Sequence, residues 1–364
     1  MELLVFLIPF FVSAVLLLFF RKQTAWWEHA VLIIPSLLVG AAMIWAFERV
    51  ESSDTEYLGS YVTKIRYYEP WNELVRKTRS YGSKGHRHTQ TYYVTENHPE
   101  CWTYYDHSGF ERKCSNEDFS AMKRRLQAPS VFVDMHRHYY TRDGDAYEYR
   151  WNGQTARLYP VTHSHEYENK VKASRSVFKF EDISEKEARR IGLYDYPDIR
   201  LRDQCPIIGA KFSARQERAI RVLNARYGPK KEFRVYLLFY RNKPLSIADR
   251  QRSYWQGGNK NELVVCVGLD SRNRVIWSDV FSWCDSPVLA VKSRDWFTSH
   301  RLDLCAFASY IEPIVQKEWK RKELSDFKYL SVELSNKEYW AIIIIMLLLN
   351  IGLSVWVVRN NYKN

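Results

Sequence analysis

The sequence predicts an α+β domain carried on three transmembrane helices. Three uncharged apolar segments lie at the two ends of the 364-residue chain, and each is close to the roughly 20 residues that cross a bilayer core. Between them, the first half shows alternating strand patterns, which predict antiparallel β structure. In the second half, helical and strand patterns alternate in an αβαββ order, which favours a sheet covered by helices.

The apolar segments cover residues 3–20, 30–47 and 339–358. The first differs from a cleaved signal peptide, because no basic residue precedes it and Arg21 and Lys22 follow it directly. Tryptophans flank the segments, as in interfacial aromatic belts. We therefore predict an N-terminal transmembrane hairpin within residues 1–47 and a single C-terminal span.

The flanking charges predict the orientation of these spans. The loop RKQTAWWEH and the tail RNNYKN carry basic residues, so both are expected on the cytoplasmic side. Residues 48–338 would then lie outside a multi-pass protein of the cytoplasmic membrane. All six cysteines fall in that middle region, which is consistent with an oxidising compartment.

One disulfide is predicted from the segment CWTYYDHSGFERKC, which has the pattern of two strands around a turn at 106–109. Pairing Tyr105 with Phe110 places Cys101 opposite Cys114, at a separation that suits a disulfide. The other four cysteines allow three pairings, and the one within LVVCVGL could instead be a buried thiol. These four are Cys205, Cys266, Cys284 and Cys305.

Residues 48–60 are acidic and predict a linker, after which residues 61–199 form the β-rich part. The segments 75–81 and 86–95 flank a GSKG turn and predict one hairpin. AYEYRW and QTARLYPV flank Asn152-Gly153 and predict another. Ser115, with Asp118 three residues later, predicts a helix that continues to Leu126.

Residues 200–335 form the predicted α/β part. Ser213 and Gln216 are typical of a helix start, and Gly228-Pro229 is typical of its end. A strand at 233–240, a helix at 246–255 and strands at 262–270 and 275–283 follow. Residues 301–324 predict a helix interrupted at Pro313.

The segment YWQGGNKNELVVCVGLD and this order of elements resemble the TPM domain over residues 210–284. That resemblance implies an extracytoplasmic α/β module of a kind whose members include acid phosphatases and assembly factors. The family's acidic metal-binding positions have no residue-by-residue match here. The hairpin, the block HSHEYENKVKASRSVFKF and the final span resemble a family of membrane-anchored proteins from bacteria and bacteriophages, which implies no activity.

Two His-x-His pairs form a candidate metal site. In a strand, His136 and His138 would share a face, and so would His163 and His165. The Asn152-Gly153 ladder would bring the pairs together, which suits zinc or another transition metal. The alternative is a polar surface, because histidines beside Arg and Tyr on a half-exposed strand are usually unliganded. A third pair, at 86 and 88, adjoins the GSKG turn and is expected to be superficial.

The net charge of +12 predicts an anionic partner, such as phospholipid headgroups, lipopolysaccharide or teichoic acid. The basic clusters at 123–125, 188–190 and 320–322 are interspersed with acids and are typical of solvated faces, so nucleic acid is not expected. No nucleophile elbow, phosphate-binding loop, HExxH or CxxC motif occurs.

These observations favour a noncatalytic envelope protein whose Tyr- and Trp-rich domain binds a protein or an anionic envelope molecule at the bilayer. In a bacteriophage setting, the family resemblance would imply modification of the host surface. The alternative is a metal-dependent or TPM-like hydrolase acting on a phosphorylated envelope molecule, with the four histidines as ligands.

Overall fold

The structure is a computed structural model that describes residues 2–82, 88–127, 130–133, 146–150, 158–174, 177, 180–197, 206–323, 327 and 329–360. It is an α+β protein with two compact units. The first unit comprises Met1–Thr55, Glu166–Phe180 and Glu323–Asn364, and the second comprises Glu56–His165 and Glu181–Lys322. Most of the predicted β-rich part (61–199) and most of the predicted α/β part (200–335) therefore belong to the same compact unit.

The first unit contains four described helices: α1 (Glu2–Phe20), α2 (Trp26–Glu51), α4 (Lys170–Ala173) and α10 (Asn336–Asn360). The three long helices pack together, with Val5, Ile44 and Met346 buried between them. The Ser36 hydroxyl donates to Asn350 Oδ1 at 3.2 Å, which joins α2 to α10. Interhelical hydrogen bonds of this kind are a recognised contact between membrane helices.

Two helices, α2 and α10, are long and apolar enough to cross a membrane. In α1 the apolar part, Leu4–Phe20, is shorter. Two of the three predicted spans therefore correspond to helices that could cross a membrane, and the third remains a prediction.

A six-stranded sheet dominates the first half of the second unit. Its strands are β1 (Ser53–Tyr68), β4 (Cys101–Asp106), β5 (Glu111–Cys114), β6 (Ser130–Val133), β7 (Ala146–Arg150) and β8 (Pro160–Glu168). They follow the order β5-β4-β1-β7-β6, with β8 also paired to β1. The helix α3 (Asn116–Leu126) packs on this sheet and buries Phe119, Met122 and Leu126.

The predicted linker at 48–60 is wrong, because this segment forms the end of α2 and the first half of β1. Its acidic residues are paired within the fold. Asp54 accepts a hydrogen bond from Asn169 Nδ2 at 2.8 Å, and Glu56 is fully buried beside Arg321. The acidic composition of residues 48–60 therefore wrongly predicted that this segment is exposed to solvent.

The predicted hairpin around Asn152-Gly153 is also wrong within the described residues. β7 has β1 on one edge and β6 on the other, and β8 pairs with β1 instead. A strand has only two edges, so β7 has no edge left for the segment that follows it. The described part of the expected ladder, residues 146–147 against 158–159, is therefore not formed, and the rest of it involves residues outside the described ranges.

The predicted register, with Cys101 opposite Cys114, is wrong by one residue. Trp102 lies opposite Cys114, and Tyr105 lies opposite Glu111. Because neighbouring strand residues point to opposite faces, this shift moves Cys101 off the face that Cys114 occupies. Both cysteines are free thiols in the structure, so the predicted disulfide is not formed. Cys266, Cys284 and Cys305 are also free thiols, and Cys205 lies outside the described residues.

The first predicted hairpin is confirmed and is longer than expected. β2 (Trp71–Tyr81) and β3 (His88–His98) form a two-stranded ribbon whose register runs from Trp71↔His98 to Tyr81↔His88. The side chains of Trp71 and His98 stack with ring centroids 4.2 Å apart. His88 is exposed, as expected for a superficial residue, and His86 lies outside the described residues.

The second half of this unit contains a mixed four-stranded sheet of order β12-β11-β10-β9. Its strands are β9 (Ile207–Ile208), β10 (Arg234–Arg241), β11 (Glu262–Leu269) and β12 (Val275–Ser282). Its helices are α5 (Glu185–Ile191), α6 (Ala214–Lys231), α7 (Ser246–Tyr254), α8 (Pro287–Ser299) and α9 (Leu304–Glu318). β10 is parallel to β9 and β11, and β12 is antiparallel to β11.

Both faces of this sheet are covered, as the apolar central strands predict. Val235, Leu237 and Phe239 belong to the core that includes residues of α6, α8 and α9, whereas Tyr236 and Leu238 belong to the core on the opposite face. The αβαββ order is confirmed. The helix α6 continues past the predicted end to Lys231, and Pro313 lies within α9 without interrupting it.

Candidate functional site

A cleft of about 730 Å³ lies between α3 and α6 in the second unit. β4, β5 and β8 supply the rest of its lining. The volume falls within the roughly 300–1,000 Å³ that is usual for small-molecule sites. Its walls come from both halves of the unit, so the two sheets must be in place for the cleft to exist.

The sequence of α3 explains which of its side chains reach the cleft. Ser115 caps the helix by accepting a hydrogen bond from the Asp118 amide at 3.1 Å. The core face of the helix is apolar, with Phe119 and Leu126 buried. Asp118, Ala121 and Arg125 follow the i, i+3, i+7 spacing of one helix face and line the cleft.

The opposite wall is the first half of α6. Ser213 caps this helix by accepting a hydrogen bond from the Gln216 amide at 3.4 Å. Ile220 and Leu223 are buried in the core of the mixed sheet. Ala214, Arg218 and Arg221 recur at i, i+4 and i+7, so one face of α6 presents two guanidinium groups to the cleft.

Close backbone contact fixes the position of α6. At Gly59 in β1, an added Cβ would lie 2.5 Å from the Asn224 carbonyl oxygen, and at Gly228 it would clash with the Gly59 carbonyl. The Asn224 side chain also bonds both the amide and the carbonyl of Val235, at 2.8 and 3.1 Å. These contacts set the distance between β1 and the helix that forms the cleft wall.

The lining of the cleft is strongly cationic. Five basic side chains face two carboxylates, those of Glu117 and Asp118. The basic residues are Lys113, Arg124, Arg125, Arg218 and Arg221. Within the described part of the chain, only the last of these has an ion pair, with Glu217 at 3.9 Å. The N-terminal turn of α6 adds the positive end of a helix dipole, so the cleft carries a field that attracts anions.

Most of the remaining lining residues are apolar. Tyr104, Met122 and Val161 are buried, and Tyr159 and Ala121 are half-buried beside them. A ligand in the cleft would therefore contact apolar surface as well as basic side chains. Sites that combine an apolar wall with a few convergent polar groups are typical of small-molecule binding.

Cys114 also lines the cleft, but it is not an activated nucleophile. Burial, together with the nearby charge of Asp118, raises the pKa of its thiol to about 12. The thiolate is the reactive form of cysteine, so this residue remains a neutral thiol near neutral pH. The geometry therefore supports binding at this position and offers no covalent chemistry through Cys114.

The described histidine pair lies among ionic side chains. Nδ1 of His165 is 3.0 Å from Oε1 of Glu56, and Nη2 of Arg321 donates to both oxygens of that carboxylate at 2.9 and 2.8 Å. Burial raises the pKa of Glu56, an effect that Arg321 and His165 partly offset. Burial and the nearby Arg112 lower the pKa of His163.

The predicted metal site remains a prediction. His136 and His138 lie outside the described residues. Among the residues that the structure does describe, no group of three or more His, Cys, Asp and Glu side chains is placed to hold a metal ion. Near the other pair, Arg112 and Arg321 would repel a cation.

Sequence reasoning missed a second polar cluster, at the start of β10 and β11. The Tyr196 hydroxyl donates to Glu262, and Asn259 Nδ2 donates to the same hydroxyl at 2.6 Å. Arg234, fully buried, donates to Thr162 Oγ1 at 3.3 Å. This cluster links the mixed sheet to β8. The polar run GGNKNE directly before an apolar strand was the signal that could have indicated it.

Comparison of the chain with protein-family models, with curated proteins and with solved structures gave no match. The resemblances to the TPM domain and to membrane-anchored proteins of bacteria and bacteriophages therefore remain predictions. The cleft between α3 and α6 is the site on which a functional argument can rest, because it combines volume, charge and apolar surface.

Proposed function

We propose that this protein is a membrane-anchored binding protein whose second unit captures an anionic ligand in the cleft between α3 and α6. The observation that carries the proposal is the set of basic side chains around one cavity, most of them without an ion pair among the described residues. Unpaired cations grouped around a concave surface attract anions and donate charge-assisted hydrogen bonds to them.

Anchoring is supported by the surface of the first unit. α2 and α10 have the length and composition of membrane spans, and α1 packs with them as a third helix of the proposed anchor. Large apolar side chains point outward from all three helices, including Phe11, Leu38 and Leu348. Helices that are apolar on their outer surface are suited to lipid rather than to water. We place the second unit outside the cytoplasmic membrane and the C-terminus inside.

We favour binding over catalysis, because the cleft combines basic side chains with apolar surface and its Cys114 thiol is not an activated nucleophile. In the envelope setting that the family resemblance implies, a captured anion would be a surface molecule of the cell. The alternative, a metal-dependent hydrolase, depends on His136 and His138, which lie outside the described residues.

The test is binding of inorganic pyrophosphate to the full chain in an uncharged detergent, measured by isothermal titration calorimetry. We expect saturable binding that weakens as salt is added, because charge pairing dominates it. The double variant Arg125→Gln, Arg218→Gln removes a cation from each wall and is expected to weaken binding at least tenfold.

The matched control is Arg189→Gln, Arg190→Gln, which makes the same change in the last turn of α5, outside the cleft. It should bind pyrophosphate as the unmodified chain does. The proposal fails if no saturable binding is seen at millimolar pyrophosphate, or if both double variants bind equally well.

A further inference from the structure

We infer that the ligand of the cleft is a phosphorylated amphiphile: a lipid whose phosphodiester headgroup contacts the arginines and whose apolar part contacts the opposite lining. The inference rests on the proposed function, because it names the class of anion that the same site takes. It differs from that function in requiring the apolar lining as well as the charge.

The basic side chains favour phosphate over other anions. Four of the five cations in the cleft are arginines. A guanidinium group donates two parallel hydrogen bonds to a phosphate, whereas a lysine acts as a point charge. Arg124 and Arg125 on α3 face Arg218 and Arg221 on α6 across one cavity, so a single phosphate group can be approached from two walls.

The apolar lining indicates that the anion carries a hydrophobic part. A cavity of about 730 Å³ is far larger than a bare phosphate needs. Tyr104, Met122 and Val161 form a continuous core with Ile65 and Phe119, and their outer surfaces line the cleft. The half-buried Ala121, Tyr159 and Pro160 leave apolar surface exposed in the cleft, and covering such surface is favourable, so an acyl chain placed here would add affinity.

The two carboxylates in the cleft indicate which other groups the lipid headgroup carries. Glu117 and Asp118 lie on the first turn of α3, one to two helical turns from Arg124 and Arg125. They accept hydrogen bonds from a hydroxyl or ammonium group attached to the bound phosphate. A lipid whose phosphodiester carries a glycerol or an amine offers a phosphate to the arginines and a hydrogen-bond donor to the carboxylates. A nucleic acid strand does not, because its phosphates recur along the whole backbone.

The experiment compares three probes on the full chain in an uncharged detergent: dihexanoyl phosphatidylglycerol, its deacylated form glycerophosphoglycerol, and inorganic pyrophosphate. We expect the acylated probe to bind at least tenfold more tightly than the other two. Arg125→Gln, Arg218→Gln should weaken all three, whereas Arg189→Gln, Arg190→Gln should weaken none.

A second variant, Ala121→Gln, adds a polar side chain at a half-buried position of α3 that lines the cleft. It should weaken the acylated probe by more than it weakens the deacylated one. Circular dichroism of each variant confirms that the fold is retained.

The outcomes separate the two claims. Equal, arginine-dependent binding of acylated and deacylated probes overturns the lipid inference and leaves anion binding in place. Acylated-probe binding that persists unchanged in Arg125→Gln, Arg218→Gln is partition into the detergent or onto the membrane helices, and it also overturns the inference. Failure of all three probes to bind overturns both the inference and the proposed function.

Discussion

Two buried carboxylates on neighbouring strands have pKa values that are shifted in opposite directions. Glu148 on β7 lies opposite Arg66 on β1, and Nη2 of Arg66 is 2.6 Å from the Glu148 carboxylate. Lys64 and Arg150 form further ion pairs with the same carboxylate. Burial acts to raise its pKa, but the hydrogen bonds from Arg66 and Arg150 outweigh burial and lower the pKa to about 2. For Glu56, burial is the larger effect and its pKa is raised. Glu148 is reached by three cations, whereas Glu56 is more deeply buried and is reached by Arg321 and His165.

Glu148→Gln is expected to lower the free energy of unfolding by about 3 kcal/mol at pH 7, because it leaves the cations around a buried position without their charge partner. The folded-state pKa lies below the ordinary value of 4.5, so the stabilisation is present above pH 4.5 and is lost as the pH falls towards 2. Urea unfolding of the full chain, followed by tryptophan fluorescence, should show the two proteins converging at low pH.

The control for this prediction is Glu96→Gln, which breaks the partly exposed pair with Lys77 on the ribbon. Exposed pairs contribute little to stability, so little change is expected. A loss for Glu148→Gln that is independent of pH would show that hydrogen bonding, and not charge, holds this site together.

At the scale of elements, the crossing of β1 and α6 at Gly59 and Gly228 determines the geometry of the cleft. Neither glycine has a positive φ, so the requirement here is space and not backbone conformation. The two backbones touch, which only residues without a Cβ allow. Any side chain at either position must separate the strand from the helix.

Gly228→Ala is expected to destabilise the second unit by about 2 kcal/mol, because the added methyl meets backbone atoms that cannot move aside. It should also weaken pyrophosphate binding, since α6 carries two of the arginines. Thermal unfolding and calorimetric titration measure the two effects. Lys230→Ala, an exposed change in the same helix, is the control and should alter neither.

Local signals in the sequence were sufficient to predict several elements. The capping pairs Ser115/Asp118 and Ser213/Gln216 predicted both helices of the cleft, because cap chemistry depends on residues three apart in the chain. The start of β1 was missed, since its acidic residues are compensated by partners distant in sequence, such as Arg321. α8 was missed although Pro287 at its first turn was an available signal.

The cleft itself could not be predicted in this way. Its two walls are about 90 residues apart in the chain, and the close approach of α6 to β1 brings them together. Arg124 and Arg125 were interpreted as part of a solvated helix face. They are exposed, but they also line the cavity, which residue spacing along α3 alone does not reveal.

At the scale of the whole molecule, the number of spans decides where the N-terminus lies. If α1, α2 and α10 all cross the membrane, the N-terminus is outside and the C-terminus is cytoplasmic, as the basic loop after Phe20 predicts. If only α2 and α10 cross, both termini are cytoplasmic. We expect the second unit outside in either arrangement, because the basic loop and tail are predicted to be cytoplasmic.

Epitope tags at the two ends of the full chain distinguish these arrangements in bacterial spheroplasts. We expect the N-terminal tag to bind antibody without permeabilisation and the C-terminal tag to bind only after it. Protease added outside should digest the second unit. Protection of the N-terminal tag would reduce the anchor to two spans, and protection of the second unit would overturn the orientation.

The central position of β1 has a consequence for how the protein is made. β1 follows α2 directly, yet its partners β4, β7 and β8 all come later in the chain. In the predicted orientation, β1 leaves the translocation machinery with both edges unpaired, and it cannot complete its sheet until β8 has followed. Unpaired edges of this kind invite aggregation. The nascent domain is accordingly expected to need a holdase chaperone on the side of the membrane where it folds.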